Sequence, residues 1–139
     1  MKYVVVFYTR TNNSKRIAEK IADKLGCELV EIFDGINWKG LKGFFKAGAY
    51  SGKNIPVEIE VSGNLDGADA YIVVAPLWAG GLAPAAKTFL KNIPNDKVHL
   101  VVTSIGNQFK NRSGFKSVSD ARKIMGNEDL IINNLINTI

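Results

Sequence analysis

Six residues near the start, Tyr3-Val4-Val5-Val6-Phe7-Tyr8, form an unbroken β-branched and aromatic run, and no other feature constrains the fold as strongly. A strand that alternates apolar with polar residues can face water on one side, whereas a continuously apolar one must be covered on both. The period changes across one short loop. Thr9 to Ser14 is polar, and beyond it Ile17, Ala18, Ile21, Ala22 and Leu25 mark one helical stripe. Lys15, Arg16, Glu19, Lys20, Asp23 and Lys24 take the opposite face, and Gly26 stands where this helix should end. A doubly covered strand feeding an amphipathic helix is the first half of a βαβ unit, from which parallel sheets are built.

The alternation continues. Glu28 to Phe33 reads as a second, more exposed strand, and Ala70 to Ala75 as a third that Pro76 closes. Pro84 to Lys91 reads as a helix with proline in its first turn, and Val98 to Thr103 as a fourth strand. A short helix near Val118 to Met125 is expected next, then Leu130-Ile131-Ile132 as the fifth strand. Between Gly35 and Pro56, Trp38, Leu41, Phe44, Phe45 and Ala49 have helical spacing, weakened by Gly40, Gly43 and Gly48. Lys39, Lys42, Lys46 and Lys53 have no acidic neighbour there. A helix that buries its aromatics is the favoured reading of this stretch, and a membrane or partner contact the other. The whole predicts one α/β domain over residues 1–139: a three-layer, open, parallel five-stranded sheet. Such sheets bind ligands beyond the carboxyl ends of their strands, which singles out loops 9–14, 76–82 and 104–113.

Composition narrows the chemistry. A single cysteine, Cys27, excludes an internal disulfide and a cysteine-based metal cluster within one chain, and a single histidine, His99, argues against a histidine-rich metal site. Both read as structural, and no metal site is expected. Redox chemistry would need a bound cofactor. Ser14 and Ser104 have no evident general base, so no catalytic residue is assigned. The longest apolar run is six residues, too short to cross a bilayer, and the expectation is a cytoplasmic protein without a transmembrane segment. The net charge is +5. Eight Lys/Arg within residues 86–123 face only Asp96 and Asp120, but they stand singly, as on a solvated surface. Binding to nucleic acid or to a membrane surface is a distant reading, because no helix-turn-helix, stacking platform or zinc pattern accompanies the charge.

The loops carry more. In Thr9-Arg10-Thr11-Asn12-Asn13-Ser14 nearly every residue offers a hydroxyl or amide donor, and the following helix adds its own N–H groups and dipole. The loop lacks the lysine of a triphosphate site and the spaced glycines of a dinucleotide site, so a phosphomonoester fits it better. An ordinary polar turn with Asn13 or Ser14 as helix cap is the plainer alternative. In Pro76-Leu77-Trp78-Ala79-Gly80-Gly81-Leu82-Ala83-Pro84, a broad aromatic at the end of a buried strand is followed by small residues, so a flat ligand could approach closely.

Together these segments resemble the flavodoxin family. Tyr8 to Ser14, followed by Ile17-Ala18, is similar to that family's phosphate loop after the first strand, with Asn12 where the family has glycine. Pro76 to Pro84 resembles the segment beside the isoalloxazine ring, and Thr103-Ser104-Ile105-Gly106-Asn107 falls where the third flavin loop begins. The resemblance implies strand order 2-1-3-4-5 and flavin mononucleotide (FMN) as cofactor. Thr9, Thr11, Asn13 and Ser14 would grip the phosphate, with Arg10 and Asn12 completing the loop. Trp78 would stack on or flank the ring, with Pro76, Leu77, Ala79 and Gly80 around it and Ser104, Gly106 and Asn107 on its other side. Asn tolerates the left-handed conformation better than most residues, so the turn can survive its departure from the pattern. The tail from Asn133 to Ile139 reads as too short for the closing helix, leaving one sheet face open to a homodimer or a partner. The implied function is an FMN-binding redox protein, an electron carrier or small reductase serving a partner protein or a small-molecule acceptor. The alternative is a module of the same fold that has lost FMN. Arg10, Lys110 and Arg112 near the rim would favour the anionic reduced flavin, in contrast to acidic shuttles of the family.

Overall fold

The computed structural model describes residues 1–36, 56–78 and 81–139. The strands described are β1 (Tyr3–Phe7), β2 (Glu28–Phe33), β3 (Glu60–Ser62), β4 (Ala70–Trp78), β5 (Gly81–Leu82), β6 (Val98–Ser104) and β7 (Ser117–Arg122). The α-helices described are α1 (Asn13–Leu25), α2 (Pro84–Leu90) and α3 (Glu128–Thr138). The sheet runs β3-β2-β1-β4-β6-β7, with β5 paired to β4. Every neighbouring pair from β2 to β7 is parallel, while β3 and β5 join antiparallel to β2 and β4. Counted among themselves, the five parallel strands stand in the expected order 2-1-3-4-5. The fold is the three-layer flavodoxin-like α/β class.

Side chains of β1 alternate between two cores, which is why the run shows no polar alternation. Val4 and Val6 join Val73, Leu100, Val102 and α2's Phe89 on one face of the sheet. Val5 and Phe7 join Ile72, Val74 and Val101 on the other, under Ile17 and Ile21 of α1 and Ile132 and Leu135 of α3. Each large aliphatic side chain buried this way contributes about 1.5–3 kcal/mol, so both cores are needed to hold the central strands. Gly26 ends α1 in the left-handed conformation (φ 62°), donating its N–H to the Ala22 carbonyl.

Three local expectations are corrected. The fifth parallel strand is Ser117–Arg122, not Leu130-Ile131-Ile132, and only the turn Lys123–Met125 of the expected short helix is helical. The tail does form a closing helix: α3 has 11 residues, and its Ile132 and Leu135 cover the sheet face thought to be open. Pro76 does not close its strand. The Val74 carbonyl accepts the Tyr8 N–H (3.0 Å), and Pro76, two residues on, faces the same side just where β1 has ended. There Pro76 needs only to accept, which it does from the Ala83 N–H at 3.0 Å. The readings made for Trp38 to Lys53, and the positions of Ala79 and Gly80, lie outside the described residues. Among the described residues, no helix is long and apolar enough to cross a membrane.

Candidate functional site

At the carboxyl ends of β1, β4 and β6 lies an open cleft of about 410 Å³. Thr9, Arg10, Thr11, Asn13 and Ser14 line it from the first loop, Pro76, Leu77 and Trp78 from the second, and Thr103, Ser104 and Ile105 from the third. Lys123, from the turn after β7, completes the wall.

The first loop is shaped by Asn12, at φ 66° the non-glycine residue in left-handed conformation among those described. That turn lets the chain reverse into α1 without a glycine. The helix then begins at Asn13 with no side-chain cap hydrogen bond and no acidic residue in its first turn. Its leading N–H groups and positive dipole end are therefore not claimed by a cap. Neither Asn13 nor Ser14 is the cap, since Asn12 holds that position.

The hydroxyls around this turn are unevenly satisfied. Thr9 Oγ1 is buried with no hydrogen-bond partner. Ser14 Oγ and Thr103 Oγ1 share a hydrogen bond of 2.8 Å, tying α1 to β6, with the residues 1% and 2% exposed. Two hydroxyls bring two hydrogens and their mutual bond uses one, so the pair retains one to donate. Asn13 Oδ1 accepts from Arg16 Nη2 at 2.6 Å, which leaves the Asn13 amide nitrogen as its donor. Arg16 and Lys20 both bind Glu128 at the start of α3. The Arg16 hydrogen bond holds the Glu128 carboxyl below the usual range, and Glu128 raises both basic groups in turn.

The second loop sets Trp78 against Tyr8, edge to face, with ring centres 5.8 Å apart at 72°. Tyr8 donates its hydroxyl to Asp34 Oδ2 (2.7 Å), so the aromatic wall is anchored to the end of β2.

The third loop holds itself together. Ser104 Oγ donates to the Asn107 carbonyl (2.8 Å), and Arg122 Nε and Nη2 donate to the Gly106 carbonyl (2.8 and 2.6 Å). A side chain at Gly106 would be tight, since a Cβ would meet Ile124 Cγ2 at 3.0 Å. Gly106 and Asn107 thus shape the loop and do not line the cleft, where Ser104 does. Arg112 is also structural: it binds the Asp120 carboxylate and donates to the Phe109 and Val118 carbonyls. Of the three expected rim cations only Arg10 lines the cleft; Lys110 and Arg112 do not.

Thr103, Ile105 and Lys123 belong to the site although they were not singled out as site residues. Thr103 and Ile105 flank Ser104, whereas Lys123 was hidden by reading its segment as a helix. His99 lies near the opposite end of β6, its Nδ1 sharing a 2.8 Å hydrogen bond with Ser117 Oγ. Burial, then Lys116, lowers its pKa. Burial raises the Cys27 thiol. Among the described residues, no group of three or more His, Cys, Asp or Glu could hold a metal.

Comparison with solved structures supports the same architecture. A flavoprotein from Lactobacillus acidophilus NCFM, solved in complex with FMN, is similar with a TM-score of 0.66 and 23% identity over 94% of this chain and 97% of that one. Candidate flavoproteins from Bacteroides eggerthii DSM 20697 (TM-score 0.68, 17% identity, 94% and 97% covered) and Bacteroides uniformis ATCC 8492 (0.69, 16%, 87% and 88%) are similar as well. At these identities the likeness establishes the flavodoxin-like fold. No protein-family model matches the sequence, and no curated protein matches it.

Proposed function

We propose that this chain binds FMN in the cleft and works as an FMN-dependent redox protein, an electron carrier or a small reductase. The observation that carries the reading is the buried, unpartnered hydroxyl of Thr9 beside the uncapped start of α1. A buried hydroxyl without a partner is costly, and a phosphate at the helix terminus would supply its acceptor. The FMN-bound structure of similar fold supports the same ligand. The donors fit a phosphomonoester: Thr9, Thr11, the Ser14–Thr103 pair, the Asn13 amide and the first N–H groups of α1. Trp78, Ser104 and Ile105 line the region that a planar ring would occupy.

When bound, FMN would supply one- or two-electron transfer through its ring, and the protein supplies position, shielding and charge. Trp78, steadied by Tyr8 and Asp34, excludes water from one side. Arg10 and Lys123 place positive charge in the wall, which favours the more negative, reduced state of a ligand. The described wall offers no carboxylate or imidazole.

The test is to mix the purified protein with excess FMN, remove what stays free, and record absorption and emission. Retained flavin with a perturbed spectrum and quenched emission is expected. Free elution of the flavin, with unchanged Trp fluorescence, would refute the reading and favour a flavin-free interaction module. Direct bleaching of retained FMN by reduced nicotinamide would distinguish a reductase from a carrier.

A further inference from the structure

We propose that Lys123 is a phosphate-directed cation that makes this cleft select the phosphorylated flavin over riboflavin, through an attraction that weakens with salt. The inference rests on the FMN reading above. Lys123 lies outside all three loops of the site, in the turn after β7, yet it lines the cleft with Thr9 to Ser14. It also lines an adjoining cavity of about 230 Å³, shared with Asn13 and with the starts of α1 and α3, which Trp78 does not reach. Lys123 therefore shares its wall with Asn13 at the start of α1, the side where a phosphate would sit.

Its backbone is held on both sides. Before it, the Arg122 N–H donates to Asn127 Oδ1 (2.9 Å) while the Arg122 guanidinium grips the Gly106 carbonyl. After it, the Ile124 N–H donates to the Ile105 carbonyl (2.7 Å), and Gly126, left-handed at φ 57°, returns its N–H to the Lys123 carbonyl (3.1 Å). The anions nearby are already engaged. Glu128 binds Arg16 and Lys20, and Asp129 binds Lys20 at 3.2 Å. Among the described residues Lys123, an exposed side chain, makes no ion pair.

Apart from Arg10, which also lines the cleft from the first loop, the other phosphate donors are neutral. Hydroxyls, amides and helix N–H groups fix where a phosphate lies, but they distinguish one charge from two only weakly. A full positive charge does this, and in an open cleft salt screens it. Lys123 thus adds specificity for a dianion, while the loop adds geometry.

The test compares FMN and riboflavin binding to flavin-free wild type, Lys123→Gln and Lys123→Arg at low and high salt. Thermal melting checks that each variant folds. At low salt, Lys123→Gln is expected to weaken FMN roughly tenfold and riboflavin by less than about twofold, and to flatten the salt dependence. Lys123→Arg should keep most of the preference. Inorganic phosphate should raise the melting temperature of flavin-free wild type more than that of Lys123→Gln. Equal losses for both flavins, or an unchanged FMN affinity and salt slope in Lys123→Gln, would overturn the proposal and leave the FMN reading intact. Failure of wild type to bind either flavin would overturn both.

Discussion

Replacing Thr9 by valine removes one hydroxyl and keeps the branched shape. In the flavin-free protein Thr9 Oγ1 is buried without a partner, a condition that costs about 1–3 kcal/mol for a neutral group. Valine puts a methyl there instead, so the flavin-free protein should gain about 1 kcal/mol, or roughly 3 °C in melting temperature for a chain of this size. With FMN the sign reverses. A hydrogen bond to a charged phosphate contributes about 1.5–3 kcal/mol, so losing it should weaken FMN about 10- to 100-fold. Denaturant unfolding of the flavin-free protein and fluorescence titration with FMN measure the two quantities separately. Opposite changes are the signature of a hydroxyl kept for a ligand. A valine variant that is less stable and binds FMN as before would refute the reasoning, because Thr9 would then be serving the fold.

Trp78→Ala should weaken FMN by at least about tenfold and restore much of its emission, while Trp78→Phe should keep most of both, as read by titration of flavin fluorescence. Asn12→Val should lose about 1–2 kcal/mol of stability by forcing a β-branched residue into the left-handed region, whereas Asn12→Gly should lose none, as denaturant unfolding would show. His99 should make stability depend on pH. Its folded pKa lies below the ordinary 6.5, so as pH falls through about 6.5 the unfolded chain takes up the proton first. Stability is then full above about pH 6.5 and declines below it by at most about 1.4 kcal/mol per pH unit, and His99→Gln should flatten that decline in urea titrations at stepped pH.

The central strands were legible because burial on both faces leaves a continuous apolar run, as in Tyr3–Phe7 and Val98–Thr103. The edge of the sheet was not. Ser117–Arg122 is an edge strand with mostly half-buried residues, and Val118, Ala121 and Met125 fall at spacings that imitate a helix. Ile132, Leu135, Ile136 and Ile139 keep helical spacing, but the three consecutive apolar residues Leu130 to Ile132 obscured it. That exchange of strand for helix hid Lys123, since its place in the cleft with the first loop follows only from β7 pairing with β6. The first loop was legible because donors crowd between a strand and a helix. Residue types alone did not show which donors are spent, such as Arg112 on Asp120, and which are spare, such as Thr9.

The most direct test of the account follows backbone amides by NMR while FMN is added to the ¹⁵N-labelled, flavin-free protein. The account predicts that the largest shifts fall on the N–H groups of residues 10–15 and on the Trp78 indole, with saturation at one FMN per chain. Shifts confined to the Phe33–Glu60 side of the sheet, or no shifts in residues 10–15 at saturating FMN, would contradict it.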